Sequence, residues 1–187
     1  MGIASWVMGE RGPMRQSDEE SFRRFAVEHA ARLRRSAYLY CGDWHLAEDL
    51  MQTTLIKIYR SWTRVEKDES LSNYSRTVLL RTWLDEKRRP WRRSEQSAAE
   101  VPERHDEGRG PADSPERLWA RDLVHQGLLR LPPRQRAVLV LRYFDDLSVA
   151  ETADVMACSE GTVKSQSARG LESLRTCVSE LMGRVAS

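Results

Sequence analysis

An all-α protein, built as two small helical domains with a flexible linker between them, is what this 187-residue sequence predicts. Three observations carry that expectation. Apolar residues recur at spacings of three and four through most of the chain. The boundaries between these runs are marked by helix-capping residues, prolines and a glycine. Residues 97–114 break the pattern, with five acids, two arginines and no apolar period, the composition of a solvated spacer. The second domain closes on LSVAETADVMACSEGTVKSQSARGLESL, Leu147 to Leu174, which reads as a helix-turn-helix.

Residues 1–16 mix glycine, proline and isolated hydrophobics without periodicity and read as a loose tail. The first domain, 17–96, opens at Ser17, which with Glu20 has the spacing of a capping box. Phe22, Phe25, Ala26, His29, Leu33 and Tyr40 share one helix face, with His29 read as a core or boundary histidine. Arg23, Arg24, Arg32, Arg34 and Arg35 take much of the remainder. Gly42 stops this helix and Asp43 caps the next, 44–62, which buries Ala47, Leu50, Met51, Leu55, Ile58 and Trp62. Its other side carries Glu48, Asp49 and Gln52, acids favoured near the positive end of a helix. On the residues alone, that side is either the polar face of a well-capped helix or an acid-and-amide docking face for a partner.

A third helix, 71–89, is expected to bury Leu71, Tyr74, Val78, Leu79 and Leu84. Its opposite face would offer Asn73, Arg76, Thr77, Arg81, Thr82 and Trp83, running into EKRRPWRR. The net charge over residues 76–93, which include Lys87, Arg88 and Arg89, is +5, although the whole chain carries only +2. Basic residues interleaved with Trp83 and Trp91 suit phosphate attraction combined with base stacking.

The second domain, 115–183, begins with Ser114-Pro115-Glu116, a cap followed by proline in the first turn. That helix stops at Pro132-Pro133; another, 134–144, packs Ala137, Val138, Leu141 and Phe144. Asp145-Asp146 turns the chain into the helix-turn-helix. Ser148 and Glu151 form a capping box with Leu147 as its staple. Ala153, Met156 and Val163 point inward, and small Ala157 sits where two helices should approach closely. Ser159 caps the last helix, which packs through Val163, Gly170, Leu171 and Leu174 and presents Thr162, Lys164, Ser165, Gln166 and Arg169. Short polar and basic side chains at a helix N-terminus are what reading a DNA major groove requires.

Other classes find little support. Cys41, Cys158 and Cys177 are too few and too scattered for a zinc site or a disulfide framework. No apolar run reaches about 18 residues, so the expected location is the reducing cytoplasm. Phosphate-loop, dinucleotide, zinc-protease and nucleophile-elbow motifs are missing. No catalytic residue, metal or cofactor is expected, and a helical enzyme is the weaker rival reading.

Three stretches resemble the bacterial extracytoplasmic-function group of RNA polymerase sigma factors, in particular its sigma-E-like members. AEDLMQTTLIKIYRSW is similar to the core-binding helix of the first sigma domain, and NYSRTVLLRTWLDEKRR to its promoter-melting segment. LPPRQRAVLVLRYFDDLSVAETADVMACSEGTVKSQSARGLESLR is similar to the −35-binding domain. The resemblance implies that Glu48, Asp49 and Gln52 dock on the clamp of the polymerase largest subunit, with a further contact to the β flap. It implies that Asn73, Arg76, Thr77, Arg81, Lys87, Arg88 and Arg89 lie near the −10 element, and that Thr162, Lys164, Ser165, Gln166 and Arg169 face the −35 groove. An anti-sigma partner is implied as well. The chain departs from common family patterns at Thr53, Ala157, Gln166 and Ser167. The alternative that residues leave open is an autonomous helix-turn-helix regulator with a helical sensing or dimerisation domain.

Overall fold

The computed structural model describes residues 16–65, 70–88 and 114–185. Among these residues seven helices follow one another and no strand occurs: α1 (Gln16–Cys41), α2 (Trp44–Ser61), α3 (Ser70–Arg88), α4 (Pro115–Arg130), α5 (Pro133–Tyr143), α6 (Val149–Met156) and α7 (Glu160–Val185). The all-α expectation holds. The tail before Gln16, the linker before Ser114, and Arg89 and Trp91 lie outside the described residues.

Local chemistry sets most boundaries. Asp43 Oδ1 accepts the Leu46 amide at 2.6 Å, which starts α2. Ser114 Oγ accepts the Arg117 amide at 3.4 Å ahead of α4. At α6, Ser148 Oγ takes the Glu151 amide at 3.1 Å while Glu151 returns the bond to the Ser148 amide at 2.7 Å. Ser159 Oγ accepts the Thr162 amide at 3.1 Å and opens α7. Between α1 and α2 the chain turns at Gly42 with φ +82°, a conformation open to glycine at little cost. Ser17, expected as a cap, lies inside α1 instead.

The expected role of Ala157 also changes. It is exposed, so its small size serves no close packing. It adopts the left-handed conformation, φ 50° and ψ 53°, that ends α6, and the Cys158 amide reaches back to the Ala153 carbonyl at 3.0 Å as in a Schellman turn. The close helix approach is made by Gly170, where a Cβ would meet the Leu139 side chain at 3.2 Å.

Each helical unit has its own core. Phe25, Ile58 and Trp62 are packed by Phe22, Leu71, Tyr74 and Val78 in the first. In the second, Leu128, Leu131 and Leu139 meet Leu171 and Leu174, and Val138, Ala153 and Val163 form a neighbouring cluster. A further cluster joins the units: Leu33, Tyr40, Leu50, Leu79 and Trp83 from the first pack with Val140, Leu141, Leu147 and Val155 from the second.

This shared core corrects the face expected for α3. Arg76, Thr82 and Trp83 are buried rather than outward. The reason is that α3 is covered twice, by α1 and α2 on one side and by α6 on another. Trp83 is 1% exposed and stacks on Tyr40 at a centroid distance of 4.8 Å, so it cannot meet a base here. Phe144, expected inward, is half exposed just past the end of α5.

Candidate nucleic-acid interface

The helix-turn-helix surface follows from the phase of α7. Val163 and Gly170 are buried, with Leu171 and Leu174 packed toward the second unit's core. That leaves Lys164, Ser165 and Arg169 exposed on the first three turns, with Thr162 and Gln166 half-buried beside them. Lys164 Nζ lies 3.9 Å from Glu160 across one turn, both side chains well exposed, a pairing of about 0–1 kcal/mol that a phosphate would displace. Ser167 is turned partly inward, and its Oγ is buried without a hydrogen-bond partner. The hydroxyl therefore costs packing energy without shifting the phase that Val163 and Gly170 impose.

The basic surface on α3 is smaller than its charge suggests. Arg81 and Arg88 are exposed, Arg88 lying 4.0 Å from Asp85. Lys87 is half-buried with its ammonium 5.9 Å from the Trp83 ring, and burial, helped by Arg136, pulls its pKa down. Thr77 is half-buried and hydrogen-bonded to the Asn73 carbonyl at 3.0 Å. Asn73 Oδ1 accepts from Arg76 Nη1 at 2.9 Å. Arg76 is turned into the joint between the units, so the structure does not bring it together with Arg81 and Arg88 on one open face. Arg89 is outside the described residues.

On α2, Asp49 and Gln52 are exposed. Glu48 is half-buried, 3.5 Å from Arg34, and accepts from Gln52 Nε2 at 3.2 Å. Sequence reading missed the continuation of this side: Ile56, 52% exposed, and Tyr59, 40% exposed, lie four and seven residues beyond Gln52. Helical spacing from Gln52 was the available signal. An acidic start that passes into an apolar end suits docking on another protein more than contact with a polyanion.

A cluster of polar residues missed in the sequence joins the units. Asp145, at the turn after α5, is 4% exposed. Its Oδ1 accepts from Ser36 Oγ at 3.0 Å and lies 3.5 Å from Arg32 Nε and 4.0 Å from Arg76 Nε. Burial outweighs mutual attraction in both partners: it raises the Asp145 carboxyl pKa and lowers that of Arg76. Arg136 on α5 donates to the carbonyls of Tyr40, Leu129 and Leu131 and lies over the Trp83 ring at 5.7 Å. Burial pushes its pKa down to about 10. His125 on α4 stacks on Tyr38 at 4.3 Å, and Tyr38 stacks on Trp44 at 3.9 Å. No local period marks these residues, because each is defined by a partner far away in the chain.

An exposed recognition helix behind a packed helix-turn-helix, on a second helical unit with a basic edge, defines a helix-turn-helix DNA-binding factor. The comparisons with known proteins agree. Residues 25–93 match the Sigma-70 region 2 family and residues 121–174 match Sigma-70, region 4. The RNA polymerase sigma-E factor of Streptomyces avermitilis is 36% identical over 143 residues, 76% of each chain. The ECF RNA polymerase sigma factor SigW of Bacillus subtilis is 25% identical over 176 residues, 90% of this chain and 94% of that one. Two solved structures share the fold. The sigma factor RpoE in complex with the anti-sigma factor NepR, from Bartonella quintana, has a TM-score of 0.71 at 22% identity, covering 86% of this chain and 98% of that one. CnrH in complex with the cytosolic domain of CnrY has a TM-score of 0.60 at 19% identity, covering 89% and 90%.

The chain belongs to the extracytoplasmic-function group of the sigma-70 family, RNA polymerase sigma factors that direct promoter-specific transcription initiation. This is a family of initiation factors and not of enzymes. No described helix is long and apolar enough to cross a membrane.

Proposed function

We propose a division of labour among three surfaces. The first unit, 17–96, holds core polymerase through Glu48, Asp49 and Gln52 against the largest-subunit clamp, with Ile56 and Tyr59 extending the contact. Its α3 segment engages the −10 element through Asn73, Arg76, Thr77, Arg81, Lys87, Arg88 and Arg89. The second unit, 115–183, rests on the β flap and places Thr162, Lys164, Ser165, Gln166 and Arg169 in the −35 major groove. Residues 97–114 join the two as a spacer.

The observation that carries this reading is the phase of α7, whose buried Val163 and Gly170 leave Lys164, Ser165 and Arg169 on the open side of a helix N-terminus. Two small DNA-contacting units gain effective concentration on DNA only when a third body fixes their spacing. Promoter recognition therefore belongs to the holoenzyme and not to the free chain. The solved relatives named above are held by anti-sigma or other cytosolic partners, and an inhibitor of that kind acts on this chain in the cytoplasm.

Run-off transcription with purified core polymerase on a library of genomic promoter fragments tests the reading. The expected result is initiation from a discrete promoter set that requires both this protein and core enzyme. Tight binding of the protein alone to a palindromic operator, with no effect on polymerase, would favour an autonomous regulator instead.

A further inference from the structure

Arg34 on α1 reaches across to α2, the helix assigned above to polymerase docking. Its side chain is 31% exposed, and its Nη1 lies 3.5 Å from Glu48 Oε2. The guanidinium is also seated on a ring, its Cζ 5.3 Å from the centroid of Trp44, the first residue of α2. Trp44 is fixed in turn, because it lies flat against Tyr38 at 3.9 Å with the two planes 6° apart. From the other side, Gln52 Nε2 donates to Glu48 Oε1 at 3.2 Å. Each oxygen of the Glu48 carboxylate therefore meets a donor group, one on α1 and one a turn further along α2.

We infer that Arg34 is a positioning residue for polymerase docking: seated on Trp44, it holds the Glu48 carboxylate in the orientation in which α2 offers it to the clamp. This rests on the α2 assignment made under Proposed function.

The pair adds little to the fold itself. Exposed ion pairs seldom contribute measurably to stability, and α1 already packs on α2 through Leu33, Ala37, Ala47 and Leu50, all buried. What the pair fixes is a side chain that otherwise samples several rotamers. Freezing such a side chain at an interface counts against affinity, so a carboxylate held in advance binds about two- to tenfold more tightly. Arginine suits the task better than lysine, since its planar guanidinium stacks on an aromatic face while its edge donates to the carboxylate.

Charge alone predicts the opposite sign. Arg34 offsets the acids of the docking face, half-buried Glu48 and exposed Asp49. If it acted only as a positive charge, its removal would leave that face more negative, and a partner that reads acids would bind more tightly. Positioning requires weaker binding in spite of the added negative charge.

Titration of the fluorescently labelled full chain with core polymerase tests this on wild type, Arg34→Gln, Glu48→Gln and the double variant. Arg34→Gln should weaken binding by about two- to tenfold, with helicity and melting midpoint kept. In the Glu48→Gln background the same substitution should change nothing further, as when one residue acts through the other. Arg34→Lys, which keeps the charge and loses the planar stack, should fall between wild type and Arg34→Gln. If Arg34→Gln loses helicity, wild-type affinity of Arg34→Lys overturns the inference. Tighter or unchanged binding by a folded Arg34→Gln also overturns it. So do additive losses in the double variant, which would place Arg34 on polymerase itself. Wild-type affinity of Glu48→Gln is a separate failure: Glu48 does not dock, and its assignment falls together with the role of Arg34.

Discussion

At the scale of single residues, Ala157 shows how a position can be located correctly and understood wrongly. The sequence places it at the helix-turn-helix corner, where its small size suggests close packing. Its exposure and its φ of 50° show that the corner needs a left-handed residue and not a small one. For any residue with a Cβ that conformation costs about 1–2 kcal/mol. Ala157→Gly should therefore stabilise the protein by about 0.5–1 kcal/mol, because relief of strain exceeds the extra entropy glycine loses on folding. In thermal unfolding this is an upward shift of about 1–4 °C for a chain of this size. Ala153→Gly, in the buried interior of α6, should lower the midpoint. If both variants melt below wild type, strain at the corner is not what separates them. Asp146, with φ 56°, tolerates the same region because its short polar side chain can bond locally.

At the scale of elements, helices with a single buried stripe were legible and the doubly covered one was not. On α2, Ala47, Leu50, Met51 and Ile58, with Trp62 just past its end, are buried as their spacing requires, while Leu55 is half-buried. On α3, a polar arginine and a threonine face an interior that a distant helix completes, which no local period encodes. The surfaces of α2 and α7 are accordingly the ones to test by charge. Asp49→Arg reverses a charge on the exposed second turn of α2 and should leave stability within about 0.5 kcal/mol. Binding to core polymerase should fall at least about tenfold, since like charges brought together across an interface cost several kcal/mol. Co-purification with core enzyme at the wild-type level would remove α2 from the docking surface. On α7, Lys164→Ala loses only an exposed pair with Glu160, so the fold should be unaffected. If Lys164 touches phosphate, the slope of log affinity against log salt for holoenzyme on a −35 duplex should flatten by about 0.9. An unchanged slope would place this lysine on a base edge or away from DNA.

At the scale of the whole molecule, the all-α class was legible, but the packing of the helices before residue 88 against those after residue 114 was not. The residues that join them, Asp145 with Arg76 and His125 with Tyr38, are separated in the chain by tens of residues and carry no common period. One of these joints also responds to pH. His125 is pressed against the Tyr38 ring, and its Nε2 lies 3.4 Å from the Tyr38 carbonyl. Burial lowers its pKa below the ordinary 6.5, Arg136 adds to that, and the Tyr38 carbonyl and Asp122 oppose it. The neutral ring thus belongs to the packed form. Above pH 6.5 the packed and separated forms both carry it neutral, and its contribution to packing is complete. As pH falls below that value a freed ring protonates first, so stability drains away until the lowered folded pKa is passed, at about 1.4 kcal/mol for each pH unit crossed. The Asp145 carboxyl, raised by burial, works in the opposite direction, so the wild-type profile alone mixes two signs. His125→Phe separates them, because phenylalanine keeps the stack on Tyr38 and cannot titrate. Between pH 7.5 and 5.5 the melting midpoint of wild type should fall more steeply than that of the variant. Parallel profiles would mean that the ring titrates alike in packed and separated units, and that the α1–α4 contact is not what the proton opens.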